Sequence, residues 1–340
     1  MKSLEGSSAG EIISNMPELM ARKIDPDNFE HQKELIRAIQ EFIVSDEQFR
    51  NQIKPAEVSL QGISSVVTFI ETEQGKFVLK VPLSPHSNAA EPVFFNQWEK
   101  CGVKVPHILR EGTLAGRPYW VMPFIEGETV SHSLQNLDAP TQGEILQEMG
   151  KTLRQMHESI AERVGVPFRN ERGEFGAPHQ NFESWIESSA ITHAINQVKV
   201  SELLNNEHGS IEKALVILND YTKRNDHKTY CHWDYSLSNI FYTKPLTIFD
   251  PNPMFNYGII DLGRAMFINM TDTGLGHTAV EELEKGYFGV HDTIEPQVKH
   301  ASILLAAYMK ISFWSKMRGS RIKKIARAQT YLSEHKKLLD

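Results

Sequence analysis

Strand-type and helix-type patterns separate along this chain, and that separation constrains its fold more than any other feature. Residues 56–83 hold two β-branched runs, "EVSLQGISSVVTFIET" and "KFVLKVPL", joined by the turn "EQGK", which predicts an antiparallel hairpin. "HILREGTLAGRPYWVMPFIEG" adds two strands around "LAGRP", after a helix over "NAAEPVFFNQWEKCG" that ends at Gly102. Beyond Gly127 helical periodicity dominates, over 140–161, 181–195, 210–225, 278–288 and 297–315. An amphipathic helix over 28–44 precedes the strands, with Leu35, Ile36, Ile39, Phe42 and Ile43 on one face. Strands first and helices second predict an α+β chain. Its parts are an N-terminal helical extension over 1–55, a small antiparallel-sheet lobe over 56–126 and a larger helical lobe over 127–340.

Composition narrows the partners. A net charge of −7 over 340 residues argues against nucleic acid or an anionic membrane as the target of the whole molecule. Cys101 and Cys231 are the two cysteines, too few and too far apart for a disulfide framework or a structural zinc site, which points to a reducing cytoplasm. The N-terminal residues lack the apolar core of a signal peptide. The most apolar run, "ASILLAAYMKISFW" (301–314), is too short and lysine-interrupted to span a bilayer and reads as a buried helix. The basic run with Arg318, Arg321, Lys323, Lys324 and Arg327 reads as a solvated helix face.

The chemistry concentrates in "YCHWDYSLSNIFYTKPLTIFDPNPMFNYGIIDLGRA" (230–265), where His232, Asp234 and Asn239 have the spacing H-x-D-x-x-x-x-N. An Asp near an acceptor hydroxyl orients it and takes its proton, and an Asn five residues on supplies a neutral oxygen ligand to Mg²⁺. The same pair also reads as a His and an Asp holding a loop in shape. Upstream, Lys80 ends the strand "FVLK" and Glu91 lies in the following helix. Together with "EPVFFNQWEKCGVKVP", "YWVMPFIEG" and "LQEMGKTLRQMHESI", this order over residues 56–315 resembles the aminoglycoside phosphotransferase/choline kinase superfamily.

The resemblance implies a protein-kinase-like two-lobed fold that binds ATP, or GTP, with Mg²⁺. It makes Asp234 the catalytic base or hydroxyl orienter and Asn239 a metal ligand. Lys80, oriented by Glu91, would bind the phosphates, and a hinge around Met122, Phe124 and Ile125 would take the adenine. Two residues compete for the second metal position. "GIIDLGRA" looks like the family's I-D-x-G-R signature and nominates Asp261. The hairpin expected over 240–249 instead places Asp250 eleven residues after Asn239, close to the family's usual gap. The spacing favours Asp250 for Mg²⁺ and leaves Asp261 to brace the catalytic loop, with Asp261 as the alternative ligand.

Departures from the family are visible. Trp233 stands where Gly is usual, Pro251 follows Asp250, and the loop "SLQGISSVV" has a single Gly62. His157, in "LRQMHESI", reads as a satisfied core histidine. Met254, Phe255 and Tyr257 read either as lining of an acceptor cleft or as a loop packed on the catalytic segment. The expected reaction moves the γ-phosphoryl group of ATP to a hydroxyl of a small molecule: an aminoglycoside, an amino alcohol or a sugar. Glu171, Glu174, Asp272, Glu281, Glu282 and Glu284 could give an acidic pocket suited to a cationic acceptor. The alternatives are an inactive nucleotide-binding scaffold or a protein kinase.

Overall fold

The computed structural model describes residues 29–58, 65–83, 87–188, 208–273, 275–289, 294–315, 326 and 328–330. Gly62 and the basic run at 318–327 lie outside them or have undescribed side chains, as do the first 28 residues and much of the helix expected over 181–195. The chain divides into two compact units, one of residues 1–92 and 106–126, the other of 93–105 and 127–340. No described helix is long and apolar enough to cross a membrane.

The first unit is built on a five-stranded antiparallel sheet. Helix α1 (Phe29–Ser45) precedes β1 (Gln52–Val58), β2 (Ser65–Thr72) and β3 (Gly75–Pro82), and β4 (Arg110–Leu114) and β5 (Arg117–Pro123) complete it in the order β1-β2-β3-β5-β4. The run read as one strand over 57–72 is two: β1 pairs antiparallel with β2, so the chain reverses between them. An uninterrupted β-branched pattern does not mark where a strand folds back. Alternation then sorts the side chains. Phe77, Leu79 and Val81 of β3 join Val66, Ile70, Tyr119 and Val121 in one apolar cluster with Leu35, Ile39 and Ile43 of α1. Lys80 therefore projects from the opposite face of β3. The apolar stripe of α1 thus covers the sheet and leaves the other face for charged chemistry.

Helix α2 (Glu91–Lys100) begins with Glu91 in the first unit and continues into the second. The second unit then runs through α3 (Ala139–Met156), α4 (Phe182–Ile186), α5 (His208–Arg224) and β6 (Lys228–Cys231). Next come β7 (Ile240–Phe241), β8 (Thr247–Ile248), β9 (Met254–Tyr257), α6 (Gly258–Thr273), α7 (His277–Phe288) and α8 (Pro296–Ser315). The short hairpin β7–β8 forms as expected around Lys244 and Pro245. The pair β6–β9, with Met254 opposite Cys231 and Tyr257 opposite Lys228, is not marked in the sequence. Both are four-residue strands, and β9 is buried on both faces, so neither shows alternation. Met254, Phe255 and Tyr257 are therefore core strand residues and not an acceptor-lining loop.

Helices α3 and α7 cross at reciprocal glycines. A Cβ on Gly150 would fall 2.3 Å from the Leu283 carbonyl oxygen, and one on Gly286 would fall 2.0 Å from that of Gln147. Only hydrogen at these two positions permits the approach, which brings Tyr287 of α7 to His157 at the end of α3.

Candidate active site

In the first unit, Lys80 Nζ donates to Glu91 Oε2 at 2.5 Å, and both side chains are almost wholly buried, 4% and 1% exposed. The Lys80 ammonium also lies 5.8 Å from the Trp120 ring centroid. A buried ion pair of this kind is costly to assemble, and breaking one partner away is costlier still. Of the residues expected to meet an adenine, Met122 pairs across the sheet with Val78, and the Phe124 N–H donates to the Lys76 carbonyl at 2.9 Å.

In the second unit, β6 delivers His232 directly into the loop that carries Asp234. The His232 ring stacks parallel on Trp98, with centroids 5.8 Å apart. Its Nε2 lies 3.0 Å from the Phe249 carbonyl, and its Nδ1 accepts the Asp234 backbone N–H at 3.3 Å. These two bonds select the neutral Nε2–H tautomer, and burial pushes the His232 pKa down in agreement. His232 thus shapes the loop and is not the proton acceptor.

Asp261 is fully buried in the first turn of α6. Its Oδ1 accepts the Trp233 N–H at 2.9 Å and its Oδ2 the His232 N–H at 2.8 Å. His157 Nε2 stands 3.2 Å from the same Oδ2, while His157 Nδ1 meets the Tyr287 hydroxyl at 2.8 Å. His157, Cys231 and Asp261 bring ligand-type atoms within 4.8 Å of one another. Burial holds the Cys231 thiol protonated, and the Asp261 oxygens are already committed to N–H donors, so this trio has the character of a hydrogen-bonded brace.

Asp234 is half-buried. Lys310 Nζ of α8 reaches its Oδ1 at 2.7 Å, and the Asn239 amide donates to its carbonyl at 2.9 Å and its Oδ2 at 3.2 Å. Burial tends to raise the Asp234 pKa, but the Lys310 charge and hydrogen bond, with the Arg264 charge behind them, outweigh it and leave the carboxyl below its ordinary value. The same Asn239 amide lies 3.4 Å from the Asp250 carbonyl oxygen. The Asn239 amide nitrogen thus ties the Asp234 loop to the Asp250 backbone, and the side chains of Asp234, Asn239 and Asp250 are of the oxygen-bearing type that suits a hard cation such as Mg²⁺. Asp250 has φ +51° and Trp233 φ +61°, two of the three described non-glycine residues in left-handed conformation. Such strain concentrates where surrounding bonds over-determine the backbone. The Asn252 N–H on the His232 carbonyl, at 2.9 Å, is one of those bonds.

Four contributors were assigned no role from the sequence: Trp98, Arg264, Asn269 and Lys310. Arg264 Nε donates to the Trp233 carbonyl, and its guanidinium lies 4.8 Å from the centre of that residue's ring. Asn269 accepts the Leu237 N–H at 3.0 Å and donates to the Tyr235 carbonyl at 2.8 Å. Asp261, Arg264 and Asn269 recur at helical spacing, so one face of α6 presents three braces to the loop. That periodicity was the available signal. Trp98 is remote in sequence and had none, and Lys310 had only its interruption of the apolar run 301–314.

A five-stranded sheet unit with a buried Lys–Glu pair, and a helical unit with a braced H-x-D-x-x-x-x-N loop, define the kinase-like fold of small-molecule phosphotransferases. The sequence pattern of the phosphotransferase enzyme family matches residues 57–271, and the chain belongs to that family. Similar solved structures include spectinomycin phosphotransferase APH(9)-Ia in complex with ADP and spectinomycin (14% identity, TM-score 0.58). Others are aminoglycoside phosphotransferase APH(4)-Ia (14%, 0.63) and choline kinase LicA from Streptococcus pneumoniae (15%, 0.53). In each comparison 88% of this chain and 98% of that chain are covered. Among curated proteins, none matches the chain.

Proposed function

We propose that this enzyme transfers the γ-phosphoryl group of ATP, in the presence of Mg²⁺, to a hydroxyl of a small molecule. The observation that carries the reading is Asp234: an ionised, half-exposed carboxylate on a loop whose backbone is fixed by Asp261, His232 and Asn269. In this reading the acceptor hydroxyl donates to the Asp234 carboxylate, which takes the proton as the new O–P bond forms and the bond to the ADP leaving oxygen breaks. Lys80, held by Glu91, binds the nucleotide phosphates. The Asn239 amide oxygen and the Asp250 carboxylate would hold Mg²⁺, which would neutralise phosphate charge. Asp261 is assigned to the brace because both of its oxygens already accept backbone N–H groups. With the Phe124 N–H engaged by Lys76, the Ile125 peptide is left to meet the adenine edge, and Met122 and Phe124 contribute surface. Positioning and charge neutralisation then supply most of the rate.

Support comes also from the ADP bound to APH(9)-Ia. The test is Mg²⁺-dependent ADP release across aminoglycosides, amino alcohols, sugars and hydroxy acids, with Asp234→Asn as control. Acceptor-stimulated release that falls about 10²- to 10⁴-fold in Asp234→Asn is the expected result. Equal release by both proteins would overturn the role given to Asp234.

A further inference from the structure

Lys310 is the lysine that interrupts the apolar run 301–314. Its neighbours on α8, from Ile303 to Tyr308 and again Ile311, are buried, and its own side chain is only 14% exposed. A lysine in such a helix loses hydration, and the fold recovers it by setting the ammonium on Asp234 at 2.7 Å. Among the described residues, Arg264 is a second cation near this carboxylate, buried beneath the loop with Asp261 beside it. Lys310 is thus the ammonium group on the half-exposed carboxylate that receives the acceptor.

This placement sets the charge an acceptor meets. A hydroxyl oxygen bonded at about 2.8 Å to the same Oδ1 lies no more than about 5.5 Å from the ammonium, given the 2.7 Å separation of Lys310 Nζ and Asp234 Oδ1. Substituents one or two bonds from that hydroxyl fall within reach of Nζ. A cationic substituent there faces a like charge in a partly dehydrated site, whereas a carboxylate or phosphate oxygen gains a charge-assisted bond. Two of the acidic side chains expected to favour a cationic acceptor are engaged with other partners. Glu282 holds Lys285 at 2.5 Å and Gln147 at 2.6 Å, and Glu284 holds Lys299 at 2.7 Å.

We infer that Lys310 is a specificity-determining residue, and that the acceptor is a hydroxyl compound with an anionic group close to the phosphorylated hydroxyl rather than a polyamine. The inference rests on the reading of Asp234 as the hydroxyl-binding carboxylate.

Two matched series test it on the full chain with ATP and Mg²⁺: glycerol against D-glycerate, and glucose against glucuronate and glucosamine, with kanamycin as the polycation. Binding of the same compounds is measured by calorimetry, independently of turnover. The expected result is a kcat/KM at least tenfold higher for the anionic member of each series and lowest for the cationic ones. Lys310→Met should shrink that advantage below threefold, Lys310→Glu should reverse the order, and Lys310→Arg should keep it, with thermal melts confirming that each variant folds. A wild type that favours glucosamine or kanamycin, or a ranking untouched by Lys310→Glu, overturns the inference. An equal fall in kcat for all acceptors in Lys310→Met also overturns it and moves the lysine to the transferred phosphoryl group. If no compound releases ADP but the anions still bind the wild type tenfold more tightly than Lys310→Met, the phosphotransferase reading fails and the anion site stands. Anions that bind no better than their neutral partners overturn the site whatever the ATP result.

Discussion

Asp261 Oδ1 accepts the backbone N–H of Trp233 at 2.9 Å, and Trp233 is the residue whose φ of +61° turns the chain immediately before Asp234. A carboxylate in the first turn of α6 thereby fixes the direction in which a different carboxylate leaves the loop. The two acids are near in space and chemically alike, yet one is committed to N–H donors while the other remains half-exposed.

Substituting each acid of the region should separate structure from chemistry. Asp261→Asn places an amide N–H against backbone N–H donors, which costs about 2–4 kcal/mol and lowers activity through stability. Asp250→Asn should leave the melting temperature nearly unchanged and abolish Mg²⁺-dependent ADP release. Urea unfolding beside an ADP-release assay decides it: a stable, inactive Asp261→Asn with an active Asp250→Asn would reverse the assignment.

The Lys80–Glu91 pair should be far more sensitive to single than to double substitution. Lys80→Met or Glu91→Leu alone leaves an uncompensated buried charge, at about 3–5 kcal/mol, whereas the double variant should recover most of that loss. Nucleotide binding should stay impaired in all three. Denaturation midpoints that simply add would show that the two charges are not coupled.

Trp233 sets backbone strain against side-chain packing. Its ring packs on Arg264 and edge-to-face on Trp185, 4.8 Å from the guanidinium and 5.9 Å from the second indole. Trp233→Ala loses that packing and retains a Cβ in the left-handed region, for about 3–5 kcal/mol. Trp233→Gly loses the packing and relieves the backbone, so it should be the more stable of the two by about 1 kcal/mol. An Ala variant as stable as the Gly variant would remove the claim of strain.

Acid should destabilise the fold in two stages. His232 is held neutral, its folded pKa below the unfolded value of about 6.5, so its contribution is complete above that pH and declines as pH falls through the folded value. Asp234 is also depressed, and its contribution declines only below about pH 3.9, the unfolded carboxylate value. Thermal melts from pH 8 to 3 on the wild type and His232→Gln check this. The loss below about pH 6.5 should shrink in the variant, and identical slopes would exclude His232 as its source.

Much of this was legible in sequence because it is local. Alternation in "KFVLKVPL" set Lys80 on the opposite face of its strand from Leu79 and Val81, and the helical stripe of Leu35, Ile39 and Ile43 marked what covers the other face. The spacing of His232, Asp234 and Asn239 located the loop, since five residues suffice for Asn239 to return to the Asp234 carbonyl. What the tertiary structure decided lies between segments far apart in the chain. Whether Asp250 or Asp261 is buried among N–H donors depends on where α6 docks against β6, and β6 carries too few residues to show a period. The left-handed turn at Trp233 is held by partners 28 and 31 residues away. Lys310 meets Asp234 across 76 residues of chain. Local pattern fixes which face a side chain occupies, but the packing of α8 decides which charge meets it there.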